Sequence, residues 1–267
     1  MSLLPKKLLE LKLLVKSWIG KHRCTKKLLQ SLIGKLNWAA RVVQGGRTFL
    51  RNLINLLPSA KRSHHRLRLS KAARADLIWW DSALEIFHGY APFLIDMPLP
   101  AYEFGTDASL VGGGAHFGSD WMYVNWDQDF PCLKDAHINI LELKTVLEAV
   151  KRWAPLWSGL HICVRSDNSA TVASINKGSS RSPELLSLIQ ELFWLSVEFS
   201  FKLSAFFIPG KVNYLADRIS RLDVLPQALD AHSILSNFSG GIVPCVNHMS
   251  PRSFIWLQDQ WRRACQL

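Results

Sequence analysis

Cysteine is scarce and irregularly placed. Cys24, Cys132, Cys163, Cys245 and Cys265 are the five in 267 residues, and no two form a Cys-x-x-Cys pair. That excludes a disulfide framework and a zinc site, and leaves small buried hydrophobes in a reducing, intracellular setting, nucleus or cytoplasm undecided. Long apolar runs are missing too. No uncharged stretch reaches the roughly 18 residues of a membrane span, so no membrane partner is expected. The first residues lack an apolar signal core and a small-residue cleavage site. Acid is scarce in the first hundred residues: five Asp and Glu against 18 Lys and Arg, a balance of +13, whereas the remainder carries 16 against 14. With 48% hydrophobic residues the chain is too apolar to be disordered. A basic first part joined to a slightly acidic second part predicts two modules, the first facing a polyanion.

Residues 1–95 read as a small all-helical module. Leu3, Leu4, Leu8, Leu9, Leu11 and Leu14 recur at helical spacing between lysines. Thr25 is placed to cap a helix running through Leu28, Leu29, Leu32, Ile33 and Leu36 to Ala40. Gly45-Gly46 interrupts, Phe49–Leu57 resumes, and a helix with Trp79-Trp80 follows the basic run Lys61 to Arg68. This positive face either serves solubility or tracks a phosphate backbone. The charge exceeds what solubility needs, which favours the second reading. Trp38, beside Lys35, Arg41 and Arg47, is the stacking candidate. Trp79, Trp80, Trp153 and Trp194 fall in helical periodicity and read as core. His64-His65 reads as part of the basic face.

Pro92, Pro98 and Pro100 mark a boundary, and residues 96–222 change pattern. Tyr102–Asp107, Ala115–Phe117 and Trp121–Trp126 read as strands, and His137–Trp153 as a helix. His161–Ser166 follows as a strand, then helices Ser169–Asn176 and Pro183–Val197, the latter capped by Ser182. Phe199–Ile208 is the fifth strand and Asn213–Ser220 a last helix. The order predicts an α/β domain, a mixed five-stranded sheet with flanking helices. Residues 223–267, with Pro226, Gly240-Gly241, Pro244 and Pro251, read as a tail or linker.

Four acids sit at element ends. Asp107 ends the first strand and Asp167 the fourth. Glu142 lies between Leu141 and Leu143, at a helix–sheet seam, and Asp217 lies in the last helix. If the two strands are neighbours, Asp107 and Asp167 emerge side by side. Gathered carboxylates repel and resist desolvation, and a hard divalent cation is the usual compensation. An all-oxygen donor set favours Mg²⁺, with Mn²⁺ as substitute. Two such ions about 3.5–4 Å apart suit phosphodiester hydrolysis.

The residues resemble the RNase H domain of a retroelement reverse transcriptase over about 100–222. The motifs are Thr106-Asp107-Ala108-Ser109 with Gly112–Ala115, His137-Ile138-Asn139-Ile140-Leu141-Glu142-Leu143, and Ser166-Asp167-Asn168-Ser169. Ile208-Pro209-Gly210-Lys211-Val212-Asn213 then runs into Ala216-Asp217-Arg218-Ile219-Ser220-Arg221-Leu222. The set is most similar to the DIRS-like elements, which carry a tyrosine recombinase. Residues 5–90 resemble the thumb or connection region that precedes RNase H there. The resemblance implies an RNase H-like fold, with Asp107, Glu142, Asp167 and Asp217 as catalytic and metal-binding acids for two Mg²⁺. It implies endonucleolytic cutting of the RNA strand of an RNA–DNA hybrid. Related enzymes carry a His near the end of the fifth strand that assists product release; Phe207 stands there instead. The polymerase palm, with its paired aspartates, is absent, so the chain reads as a fragment or remnant of a longer polyprotein whose polymerase part is a possible partner.

Ser109, Asn139, Asn168 and Ser169 flank the acids. Each either bonds a phosphate or ribose 2′-OH or caps a turn or helix. Two rivals remain: a DNA-cutting integrase or exonuclease on the same fold, which the Ala216-Asp217 and Ser220-Arg221 ending argues against, and a domesticated remnant that binds nucleic acid without cutting.

Overall fold

The computed structural model describes residues 3–89, 100–222 and 241–242. The expected boundary at Pro92 and Pro98, and all of the expected tail except 241–242, lie outside them. The described residues fall into two compact units, 3–89 with 178–186, and 100–177 with 187–222 and 241–242.

The first unit contains four helices: α1 (Pro5–Ile19), α2 (Lys26–Ala39), α3 (Arg51–Asn55) and α4 (Lys71–Ile86). Pro5 opens α1, where its missing N–H costs nothing. Thr25 caps α2 as expected, its Oγ1 accepting from the Leu28 amide at 3.3 Å. Ser70 caps α4 in the same way, accepting from Ala73. Trp79 stacks on Phe49 with centroids 4.2 Å apart, and Trp80 Nε1 donates to the Phe49 carbonyl at 3.0 Å. The unit is not wholly helical, which corrects the expectation. Part of the basic run, β2 (Arg66–Arg68), pairs antiparallel with β1 (Arg23–Thr25). The cause is the alternation Arg66-Leu67-Arg68, which buries Leu67 against Cys24.

The second unit is the expected mixed α/β architecture, a mixed sheet with flanking helices. Its strands are β3 (Tyr102–Ala108), β4 (Gly112–Phe117), β5 (Asp120–Asn125), β6 (His161–Ser166), β7 (Lys202–Phe207) and the two-residue β8 (Gly241–Ile242). The sheet order is β7-β6-β3-β4-β5-β8. β3, β4 and β5 are antiparallel; β6 pairs parallel with both β3 and β7. Its helices are α5 (Trp126–Asp129), α6 (Ile138–Trp153), α7 (Ser169–Lys177), the part of α8 (Pro183–Glu198) from Ser187 onward, and α9 (Tyr214–Ser220). Trp126 opens α5 rather than ending β5, because Asn125 caps it by accepting from the Gln128 amide. Phe104, Phe117, Trp153 and Trp157 pack as an aromatic core between sheet and α6, Phe104 and Trp157 with centroids 5.3 Å apart.

Gly112-Gly113-Gly114 lies inside β4, not before it. Gly113 and Gly114 face opposite ways, and each meets a helix. A Cβ on Gly113 would clash with Thr145 Oγ1 of α6, and one on Gly114 with the Ser220 amide of α9. Both helices therefore approach the sheet backbone more closely than any side chain permits. No helix is long and apolar enough to cross a membrane among the described residues.

Candidate metal centre

β3 and β6 are neighbours, with Gly105 opposite Arg165. Two residues on stand Asp107, still within β3, and Asp167, the first residue past β6. Glu142 enters from the first turns of α6. Carboxylate oxygens of Asp107, Glu142 and Asp167 all lie within 4.8 Å of one another. Asp107 is 5% and Glu142 4% exposed. No Lys or Arg forms an ion pair with these three among the described residues.

Burial pushes the Asp107 carboxyl up to about 6, the neighbouring charges of Asp167 and Asp217 adding to it while a hydrogen bond from Ser220 opposes. Glu142 is pushed up to about 9, again chiefly by burial, then by the Asp107 and Asp167 charges, against a bond from the Ala108 amide. Its Oε2 is buried and has no hydrogen-bond partner. A buried acceptor left unmatched beside two more carboxylates is the environment a bound cation would relieve. The donors are all oxygen, which fits a hard divalent cation.

Asp217 stands apart from this trio. Its Oδ1 accepts from Arg221 Nε at 2.8 Å, although its charge reaches Asp107. Ser220, one turn after Asp217, is fully buried and bonds Asp107 Oδ2 at 2.7 Å. The Ser220 carbonyl accepts from Ser109 Oγ at 2.7 Å. Ser109 Oγ also accepts from the Val111 and Gly112 amides, so it staples the β3–β4 turn to α9. Ser109 is 6% exposed. Of the two alternatives for this hydroxyl, the bonds it makes here are those of the turn cap.

Asn139 and Asn168 do meet beside the acids: Asn168 Nδ2 donates to Asn139 Oδ1 at 2.9 Å, and Asn168 Oδ1 accepts from the Thr171 amide. Asn139 Nδ2 makes no hydrogen bond among the described residues, and Asn139 lies on α6 one turn before Glu142. Ser169 is exposed at the start of α7. The loop after β7 closes the site: a Cβ on Gly210 would lie 2.8 Å from Asp167 Oδ2, and Asn213 Nδ2 ties that loop to the Thr106 carbonyl at 2.9 Å. Phe207 is exposed at the end of β7, opposite Ser166. Ser220, Asn213 and Gly210 belong to motifs noted above, but their part in holding the acids is visible only here. Ser220 lay within reach of the sequence reading, three residues after Asp217 and so on the same helical face.

In the first unit, Lys35, Trp38, Arg41 and Arg47 are all exposed. Trp38 is the one exposed tryptophan among those described, at 44%, and Lys7 Nζ lies over its ring, 5.1 Å from the centroid. Trp79, Trp80, Trp153 and Trp194 are core, as expected. Cys24 and Cys163 are free and buried, whereas Cys132 is exposed.

No family model matches this chain, and no curated protein does. Solved structures do show similarity, two of them being foamy viral protease–reverse transcriptases. One is a prototype foamy virus protease–reverse transcriptase CSH mutant, at 16% identity and TM-score 0.27, covering 68% of this chain and 24% of that one. The other is a foamy viral protease–reverse transcriptase, dRH, in complex with double-stranded DNA, at 13% identity and TM-score 0.25, covering 74% and 34%. This chain spans about a quarter and a third of their lengths. A likeness this distant carries no functional argument; the geometry of the acids does.

Proposed function

We propose that this chain is a ribonuclease H-type endonuclease that hydrolyses the RNA strand of RNA–DNA hybrids, derived from a retroelement reverse transcriptase of the DIRS-like kind. The observation that carries the reading is the convergence of Asp107, Glu142 and Asp167, from three separate elements, within 4.8 Å. Asp107, Glu142 and Asp167 would hold two Mg²⁺, or Mn²⁺, with Asp217 as a fourth ligand once Arg221 releases it. When bound, the ions supply Lewis-acid activation of water and phosphodiester and stabilise the leaving oxygen.

The protein's own groups prepare this site. Ser220 fixes the direction of Asp107 Oδ2, and the Ala108 amide fixes Glu142. In the cation-free protein at pH 7 Glu142 retains its proton and Asp107 has mostly lost its own. Glu142 would give up that proton on becoming a ligand, because only the carboxylate form holds a cation. The free Asn139 amide donor is placed to meet a phosphate oxygen or ribose 2′-OH at the border of the acids. In the first unit, Lys35, Arg41 and Arg47 neutralise phosphates while Trp38 offers its face to a base or sugar.

The test is cutting of a labelled hybrid with Mg²⁺ by the wild-type chain and by Asp167→Asn. The expected result is RNA-strand cleavage by the first and a loss of at least a hundredfold in the second. Equal activity of both proteins overturns the reading. Hybrid binding without cleavage by wild type leaves the domesticated binder in its place.

A further inference from the structure

The two-stranded ladder of the first unit puts positive charges where a sheet ordinarily avoids them. Arg23, Cys24 and Thr25 of β1 stand opposite Arg68, Leu67 and Arg66 of β2. The middle pair, Cys24 and Leu67, is buried. Side chains alternate along a strand, so Arg23, Arg68, Thr25 and Arg66 share the outer face, where the three arginines are exposed. Arg23 and Arg68 are directly opposed. Like charges so placed destabilise an antiparallel pair, with Cβ atoms only about 4.5–5.5 Å apart. Neither they nor Arg66 form an ion pair with any acid among the described residues.

The geometry points to a phosphate-binding platform on the outer face of β1–β2, where Arg23 and Arg68 grip one backbone phosphate of a nucleic-acid duplex and Arg66 the next. An anion between two guanidinium groups turns their repulsion into attraction, and each planar fork can bond a phosphate through two parallel N–H donors. Arg66 and Arg68 are two residues apart, about 6.8 Å along the strand, close to the separation of successive phosphates on one nucleic-acid strand. The outer face carries three arginines and a threonine and no large apolar side chain, so it has nothing to insert into a lipid surface. This assignment rests on the reading of the chain as a nucleic-acid enzyme. It adds a second contact to that of Lys35, Trp38 and Arg41.

The experiment measures binding of the full chain to a fluorescent RNA–DNA hybrid in EDTA from 50 to 300 mM salt, for wild type, Arg68→Gln and the triple variant Arg23→Gln, Arg66→Gln, Arg68→Gln. Each lost phosphate contact flattens the slope of log affinity against log salt by about 0.9. The expected loss is therefore about 1.8 for the triple variant, which gives up both phosphates, and below about 0.9 for the single variant, whose phosphate keeps Arg23, with thermal midpoints equal to or above wild type because a repulsion has been removed. A steep wild-type slope left unchanged in the triple variant overturns the platform and leaves the nuclease reading standing. A flat wild-type slope overturns the platform together with nucleic-acid binding by this unit. A lowered midpoint in both variants means that the arginines brace the ladder, and overturns the platform. Phosphatidylserine vesicles form the control arm: vesicle binding lost in the triple variant while hybrid binding is kept overturns it in favour of a membrane site.

Discussion

Ser220 shows how much of the centre depends on one uncharged side chain. Its hydroxyl lies 2.7 Å from Asp107 Oδ2 and 2.8 Å from the Asp217 carbonyl, yet it has a single proton to donate. With Asp107 ionised, that proton belongs on the carboxylate, where the charge-assisted bond is stronger. Ser220→Ala is expected to weaken Mn²⁺ binding about tenfold by calorimetry, the equivalent of one hydrogen bond to a charged group, and Ser220→Thr to restore most of it. Unchanged affinity in the alanine variant would show that Asp107 is held by the strand alone. Glu142 makes the complementary case. Its buried charge is costly without a cation, so Glu142→Gln is expected to raise the thermal midpoint of the metal-free protein at pH 9 or above and to leave it unchanged at pH 4. Calorimetric scans in EDTA at the two pH values check this.

Among the elements, β4 and α9 define the approach distance that Ser220 needs. A methyl at Gly114 would meet the Ser220 amide, the Ala216 carbonyl and Ile219 together. Gly114→Ala is expected to push α9 outward, to cost about 1–3 kcal/mol in denaturant unfolding as overpacking does, and to weaken cation binding with it. Full stability and affinity would mean that the helix shifts freely. The elements themselves were legible where period and caps agreed: Thr25 opens α2, Ser182 precedes α8 with its Oγ accepting from Leu185, and β6 is a compact run ending at Ser166. They were illegible where the decisive partner is remote. Three glycines look like a loop, yet here they form a strand because two helices press on it. Arg66-Leu67-Arg68 looks like part of a charge run, yet Cys24, more than forty residues earlier, makes it a strand. Ser109 looks like a ligand beside a catalytic acid until the Ser220 carbonyl, 111 residues away, takes its hydroxyl.

For the whole molecule, the raised carboxyls set a pH dependence of stability. A group whose proton is held more tightly folded than unfolded favours the folded state when protonated, and folding loses stability as pH rises. Stability of the metal-free chain is expected to decline from about pH 4, first through the Asp107 value near 6 and then through the Glu142 value near 9, by on the order of a few kcal/mol in all. Added Mg²⁺ should restore stability most at the alkaline end, because it binds the ionised forms. Thermal midpoints from pH 4 to 9.5 with and without Mg²⁺ check both slopes; a flat EDTA curve would contradict the burial of these acids. The sequence by itself determined what is local or additive: the charge imbalance between the two parts, the helical and strand periods, and the caps. Only the tertiary structure decided which acids meet, that Arg221 holds Asp217 while Ser220 holds Asp107, and that Arg23 faces Arg68. Those outcomes depend on strand register and helix approach, which are settled by contacts between residues far apart in the chain.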